Sequence, residues 1–336
     1  MTKLLYIGNK LSQNGKTQTT IETLSALLGQ EGFEVISASE KQNKIIRLWD
    51  MLWHVLKYRR SIDYVLIDTY STFNFYYAYL VSQLCRCFKV PYIPILHGGD
   101  LPKRLKTSPR LSKILFKNAY TNVAPSLYTK ARFGVCGFKN VICIPNTIEI
   151  ENYPFKPRLY KKIKLLWVRS FSKIYNPKLG IDILKLLLES GMEADLCMVG
   201  PEGDGSLKET KAYAKKKNVD VTFTGKLSKK DWVALSEHYN VFINTTMVDN
   251  MPVSVLEAMA LGLPVITTHV GGMPYLIDNH VDGILVKSNH SKGFVNAIQY
   301  LINNQDDVNK MVQKARMKVE HYDWQVVKKQ WISLLS

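Results

Sequence analysis

The chain plays one hydrophobic rhythm twice. Short apolar runs at 3–8 (KLLYIG), 62–68 (IDYVLID), 91–96 (PYIPIL), 119–124 (AYTNVA) and 140–145 (NVICIP) read as buried strands. Helical patterns at about 16–29, 44–58, 72–87 and 126–133 separate them. A polar, proline-bearing stretch, EIENYPFKPRLYKKIK, then interrupts the rhythm and reads as a linker. The alternation restarts with strands at 164–169 (KLLWVR), 195–199 (DLCMV), 220–224 (DVTFT), 240–244 (NVFIN) and 264–267 (PVIT), with helices between.

Strands and helices in alternation argue for parallel sheets with helices on both faces. The pattern therefore predicts an α/β chain of two doubly wound, Rossmann-like domains joined near residue 155. The expected bounds are 1–153 and 160–320, with an amphipathic helix at about 322–336 packing back on the first domain. Ligands of such sheets sit outside the carboxyl ends of the strands, so two facing domains predict a site in the cleft between them.

The totals fit this picture. A length of 336 residues suggests two cores, and 46% apolar residues are enough to fill them. Five cysteines (85, 87, 136, 143, 197) show no metal-ligand spacing, and an odd number of thiols without a leader peptide points to a cytoplasmic protein. No stretch reaches the length of a membrane-spanning helix. The net charge of +17 is uneven: residues 1–150 hold 20 Lys/Arg against 9 Asp/Glu (+11), and the remainder 25 against 19 (+6). A basic first half predicts an anionic partner, whether nucleic acid, a phosphate-bearing substrate or an acidic membrane surface.

One motif points elsewhere. GNKLSQNGKTQTT after the first strand resembles a P-loop, and YVLIDTY resembles the strand whose Asp holds Mg²⁺ in such NTPases. A P-loop needs four residues between its glycine and Gly-Lys-Thr, whereas Gly8 and Gly15 enclose six. A glycine-bearing turn, or a Gly15 that lets the backbone approach a ligand, fits the longer gap.

The second half carries the richer constellation, DNMPVSVLEAMALGLPV at 249–265. Pro252 starts a helix, which leaves Asp249 in the loop after NVFIN and gives Val253, Ser254 and Val255 the free amides of a helix start, suited to an anion. Glu257 stands on an otherwise apolar helix and needs a partner or a ligand. Taken singly, Asp249 caps a helix and Glu257 pairs with a core arginine. Arg169, at the tip of LLWVR, points to more: a guanidinium, a helix start and two acids suit a sugar nucleotide.

The segment FINTTMVDNMPVSVLEAMALGLPVITTHVGGMPYLIDNHVDGILV resembles the donor-binding segment of retaining glycosyltransferase family 4 (glycosyl transferases group 1, GT-B fold), of the bacterial surface-polysaccharide type. It reads acid, seven residues, Glu, then Ala-Met-Ala, Gly-x-Pro-Val and Gly-Gly. LHGGD, APSLYTKARF, IPNTIE, MVGPEGDG and VTFTGKLS stand in the family's order.

The resemblance implies that Glu257 holds the donor's ribose and that Asp249 contacts the transferred sugar, aided by main-chain amides of Asn250, Met251 and Val253 and by Ser254. It implies that Arg169 binds the diphosphate, that His97 lies against the donor sugar near the anomeric carbon, and that Gly15 brings amides to the leaving phosphate or the acceptor. The position expected to hold a second cation is Ile174; Lys173 and Lys178 are nearest. The implied reaction is metal-independent hexosyl transfer from a nucleoside diphosphate sugar, with retention and no cofactor, to a glycan or lipid-linked acceptor.

Two basic stretches of the first half, KIIRLWDMLWHVLKYRR (44–60) and LPKRLKTSPRLSKILFK (101–117), suit a peripheral position on an anionic membrane. The first is equally a helix buried on its sheet with a charged edge. A P-loop-like NTPase and a basic nucleic-acid-binding protein are the alternatives, although no nucleic-acid-binding signature is present and none is expected to bind.

Overall fold

In β1 (Lys3–Ile7), Leu5 and Ile7 enter one apolar cluster while Leu4 and Tyr6 enter another. A strand buried on both faces belongs to a sheet covered on both sides, and that is how both halves of the chain are built. The computed structural model describes residues 1–11, 19–158 and 162–336. It divides into two units, 1–146 with 324–336, and 147–323.

Among the described residues the first unit holds a parallel sheet in the order β2-β1-β3-β4-β5-β6. Its other strands are β2 (Glu34–Ala38), β3 (Tyr64–Thr69), β4 (Tyr92–Leu96), β5 (Asn122–Ala124) and β6 (Val141–Cys143). One face is covered by α2 (Lys44–Tyr58) and α3 (Asn74–Cys87), with α4 (Leu101–Thr107), α5 (Pro109–Lys117) and α6 (Leu127–Val135) adding to the same cluster. The opposite face is covered by α1 (Thr20–Gln30) and by α14 (Trp324–Leu335), the last helix of the chain. Trp324, Val327, Trp331 and Leu335 recur every three to four residues and all join this cluster.

The second unit holds strands β7 (Ile163–Val168), β8 (Ala194–Val199), β9 (Thr222–Gly225), β10 (Val241–Asn244), β11 (Val265–Thr268) and β12 (Ile284–Val286). Their parallel order is β12-β11-β10-β7-β8-β9, so β7 and β10 are neighbours although two strands separate them in sequence. That reversal makes a switch point, where the loops leaving adjacent strands diverge and open a crevice. The first sheet has its switch between β1 and β3. Helices α7 (Pro177–Glu189) and α12 (Ser291–Asn303) cover one face of the second sheet, with α8 (Ser206–Lys217) beside α7. The other face is covered by α9 (Lys229–Ser236), α10 (Val253–Ala260) and α11 (Met273–Leu276), and α13 (Gln305–Glu320) contributes to both clusters.

Several expectations need correction. The stretch read as a linker is part of the second unit: Tyr153 is buried in its core, and the buried Arg158 donates to the carbonyls of Ser236 and Leu261. Arg158 is satisfied inside the fold, while Glu149, Glu151, Asn152 and Lys156 stand exposed. The edge strands β2 and β12 were absent from the expected strands; β2 is only half-buried along most of its length, so its apolar alternation is weak. The helix expected from about residue 16 is described only from Thr20, where Thr19 and Glu22 form a capping box.

The C-terminal helix is also tied by charge, since Glu31 accepts from Trp324 Nε1 (3.2 Å) and from Lys328 Nζ (3.0 Å). Replacing Trp331, which is 3% exposed, by Ala should cost about 3–5 kcal/mol by cavity formation. In urea denaturation the loss should fall on one of two transitions, that of the first unit. Val326→Ala, on the solvent side of the same helix, should change stability by no more than about 0.5 kcal/mol.

Candidate functional site

The crevice beyond β7 and β10 is where the second unit gathers its charged side chains. Arg169 follows β7 directly, and Asp249 lies in the loop after β10. Arg169 Nη2 donates to Asp249 Oδ2, and each partner's side chain is 13% exposed. The guanidinium lies 4.1 Å above the Tyr175 ring, at the end of a short turn, Lys173–Tyr175. Charge on one side and a π-face on the other fix a planar cation well. Its Nε is buried and makes no hydrogen bond among the described residues.

The glycines quoted from the sequence explain how the loops come so close. Gly271 has φ of +53°, and a Cβ there would overlap the Asp249 carbonyl; one on Gly272 would overlap the carbonyl of Asn250. The Gly272 amide donates to Asp249 O at 3.0 Å, so the Gly-Gly turn lies flat on the Asp249–Asn250 backbone and holds it in place. Gly200, φ +151°, does the same for the Arg169 carbonyl from the loop after β8.

Pro252 precedes α10, and the first helical hydrogen bonds run from the amides of Val255 (3.1 Å) and Leu256 (3.4 Å) to its carbonyl. The amides of Val253 and Ser254 therefore open the helix, and the Ser254 hydroxyl is buried without a partner among the described residues. The Asn250 amide, expected to serve a ligand, donates to its neighbour Asp249 Oδ1 at 2.9 Å. Asn250 and Met251 are both buried, so their contribution to a ligand is restricted to the main chain.

Glu257, 2% exposed, does have partners, and neither is the core arginine considered as its plainer role. Its Oε1 accepts from Tyr153 Oη (2.8 Å) and from Lys229 Nζ. Desolvation brings the Lys229 ammonium down to about 8, with the Glu257 carboxylate beside it. Of the candidate second cations, Lys178 pairs with Glu209 at 2.8 Å. Lys173 is exposed and makes no ion pair among the described residues; its amide donates to Asp204.

His97 belongs to the first unit, immediately after β4. Its Nε2 bonds Asp68 Oδ1 at 2.9 Å. Asp68, the acid of the NTPase alternative, is thus engaged inside its own sheet. Gly15 lies outside the described residues. Sequence reasoning named Arg169, Asp249, Ser254 and Glu257 but missed Tyr175, Tyr153, Lys229 and Asp68's link to His97. Only the position of Asp68 at a strand end, two residues before an aromatic, offered a signal.

A family model for glycosyl transferases group 1 matches residues 149–318, 170 of 336 residues. The chain belongs to the glycosyl transferases group 1. Among curated relatives, the UDP-Gal:alpha-D-GlcNAc-diphosphoundecaprenol alpha-1,3-galactosyltransferase of Escherichia coli is 27% identical over 195 residues, 52% of this chain and 48% of its own. The amylovoran biosynthesis glycosyltransferase AmsK of Erwinia amylovora is 24% identical over 266 residues, 74% of this chain and 64% of its own. The chain thus spans about half to two thirds of these relatives' length.

Among solved structures, sucrose-phosphate synthase of Thermosynechococcus elongatus aligns with a TM-score of 0.83 at 14% identity, over 99% of this chain and 98% of that one. HepE of Anabaena in complex with UDP-glucose aligns at 0.78 and 16% identity, over 100% and 99%. At such identities these structures show the fold, which is GT-B: two α/β units, each on a parallel sheet.

The glycine contacts give this group 1 glycosyl transferase a test of its site geometry. Gly272→Ala should destabilise the protein by at least about 2 kcal/mol, because the methyl group meets rigid backbone. Gly29→Ala, helical and open, should stabilise it by about 0.4–1 kcal/mol. Thermal denaturation of the two variants reads both signs.

Proposed function

We propose that the protein is a metal-independent, retaining glycosyltransferase of family 4 that moves a hexosyl unit from a nucleoside diphosphate sugar to a lipid-linked glycan in cell-surface polysaccharide synthesis. The observation that carries the reading is the Arg169–Asp249 pair at the β7/β10 switch point, set beside the opening amides of α10 and the unpartnered Ser254 hydroxyl. The second unit binds the donor and the first takes the acceptor. The Escherichia coli relative is named for a UDP-linked donor and a diphosphoundecaprenol acceptor, and the Anabaena structure holds UDP-glucose; both support this class of substrates.

In this reading a donor exchanges partners with side chains already paired. Its diphosphate takes Arg169 and the amides of Val253 and Ser254, with Lys173 as the second cation, and frees Asp249 for a hydroxyl of the transferred sugar. Glu257, held by Tyr153 and Lys229, receives the ribose hydroxyls on its remaining oxygen. As the bond from the anomeric carbon to the diphosphate breaks, negative charge grows on the leaving oxygen. Arg169 and the helix start stabilise it. The acceptor oxygen bonds the anomeric carbon from the same face, and its proton passes to the departing phosphate.

The membrane surface is carried by α2. The helix packs inward through Arg47, Met51 and Val55, so the apolar stripe read from the sequence is divided. Leu48 and Leu52 are half-buried, while Ile45, Ile46, Trp49 (69%) and Trp53 (60%) stand in solvent. Exposed tryptophans among Lys41, Lys44, Lys57 and Arg60 suit an anionic lipid surface. No helix among the described residues is long and apolar enough to cross a membrane.

A metal-free thermal-shift screen against UDP-, GDP-, ADP- and dTDP-sugars, with Mg-ATP alongside, should show a rise with a single sugar nucleotide. A response to Mg-ATP alone would overturn the reading. Arg169→Ala should then lower kcat about a hundred- to a thousandfold with the fold intact. Glu257→Ala should weaken donor affinity about tenfold or more in calorimetry. Sedimentation with phosphatidylglycerol vesicles should retain the protein and fail with phosphatidylcholine. The Trp49→Ser/Trp53→Ser variant should lose that binding, and unchanged sedimentation would remove the membrane role.

A further inference from the structure

Beyond the ends of β3 and β4 the first unit has two loops packed on each other. A Cβ on Gly98 would stand 2.7 Å from the Ser71 amide nitrogen, and Arg104 of α4 donates to Ser71 O through Nε (2.8 Å) and Nη2 (2.5 Å). The Arg104 guanidinium also lies 5.2 Å from the Phe75 ring and 5.7 Å from the Tyr76 ring, so α4 is tied to the start of α3. Phe75 is buried in the core, but its neighbours face solvent: Phe73 is 82% exposed, Tyr76 42% and Leu80 40%. The three recur at i, i+3 and i+7, one apolar stripe along the open side of α3.

Phe73 does not serve the fold. It occupies the N-cap of α3, where a short polar side chain would accept from the helix amides, and it makes no capping hydrogen bond. Its ring meets only that of Tyr76, at 6.4 Å between centroids, and so exposed a ring gains little from burial. The cations alongside are equally unspent. Lys103 and Lys106 stand exposed one turn apart on α4, and neither they nor Arg104 make an ion pair among the described residues, although Asp100 directly precedes the helix. A neutral glycan would not need these cations, and a free phosphate would not need the stripe. A hydrocarbon chain ending in a phosphate uses both.

We infer that this edge of the first unit holds the lipid portion of the acceptor: Phe73, Tyr76 and Leu80 take the hydrocarbon, and Lys103, Arg104 and Lys106 take the phosphate that joins it to the glycan. The use made of that lipid rests on the transferase reading. The site is separate from the tryptophans of α2, which face a bilayer in that reading.

Calorimetry with farnesyl diphosphate, free of vesicles, tests the site. The lipid should bind at least about tenfold more tightly than inorganic pyrophosphate or farnesol, and Phe73→Ser/Tyr76→Ser should remove about tenfold of its affinity. Serine at 73 supplies the missing cap, so the variant should keep a cooperative melting transition. Lys103→Gln/Lys106→Gln should weaken binding about tenfold and flatten its salt dependence. Pyrophosphate bound as tightly as the lipid, or ring and lysine variants that bind it like the wild type, would overturn the inference. Trp49→Ser/Trp53→Ser should still bind farnesyl diphosphate, and the ring variant should still sediment with phosphatidylglycerol vesicles. Loss of sedimentation in the ring variant with farnesyl diphosphate still bound would give this face to the bilayer instead. Sugar nucleotides are read separately by thermal shift. A response to one of them without binding of farnesyl diphosphate removes the lipid site and leaves the transferase reading; the opposite result removes that reading and leaves a lipid site.

Discussion

The ion pair between Arg169 and Asp249 ties together two loops that the sheet itself drives apart. Parallel pairing of β7 with β10 aligns the strands, but the chain must leave them in opposite directions, which is why the crevice exists. The surrounding structure holds that junction shut. Trp167 Nε1 donates to Thr245 Oγ1, which donates to Tyr175 O, and the Met247 amide donates to Ile174 O at 2.7 Å. The turn carrying Tyr175 is thereby sewn to the end of β10, and the guanidinium rests on a ring that cannot move away. Removing either charge would leave the other buried and uncompensated, a costlier state than one with neither.

A shared logic extends to both acidic positions of the second unit. Asp249 is neutralised by Arg169, and Glu257 by Lys229 with help from Tyr153. Such pairing keeps carboxylates in place at low solvent exposure without a ligand. It also means that a ligand competes with an internal partner, so affinity depends on what it offers each member of the pair. A diphosphate offers Arg169 more charge than a carboxylate does, and sugar hydroxyls offer Asp249 neutral donors in return. A neutral sugar without the diphosphate could not make the first exchange. Under the proposed function, selection for an anionic, sugar-bearing ligand is therefore built into the unliganded contacts.

The elements that sequence exposes most clearly are those dictated by burial. Strands such as β1, β3 and β4 are apolar through their centres because both faces are covered, and their neighbours follow from the strand-helix alternation. The half-buried edge strand β2 carries little such signal. Glu257 could be picked out as a charge on an otherwise apolar helix, and Arg169 and Asp249 as charges following strand ends. Tyr153, Tyr175 and Lys229 could not: aromatic and cationic residues are ordinary in turns and at helix starts, and only three-dimensional pairing gives them a role. The segment around Tyr153 misled for the same reason, since its prolines and charges look like solvent-exposed chain until Arg158 is seen capping carbonyls inside the fold.

The two units differ most in the balance and use of their charge. Residues 101–148 contain nine Lys and Arg and no acid, so no ion pair can form within that stretch. Across the second unit, by contrast, cations such as Lys178, Lys229 and Lys318 are matched to nearby carboxylates. Unmatched cations on a surface repel one another, and a fold tolerates them where the field they create attracts something outside the chain. On α2 the same unit exposes two tryptophans beside such cations, a combination that salt alone would not weaken fully, because the apolar part is insensitive to screening. In the proposed membrane role, charge brings an anionic surface near and the indole rings retain it. In the proposed function, the paired charges of the second unit serve instead a small ligand that exchanges partners with them.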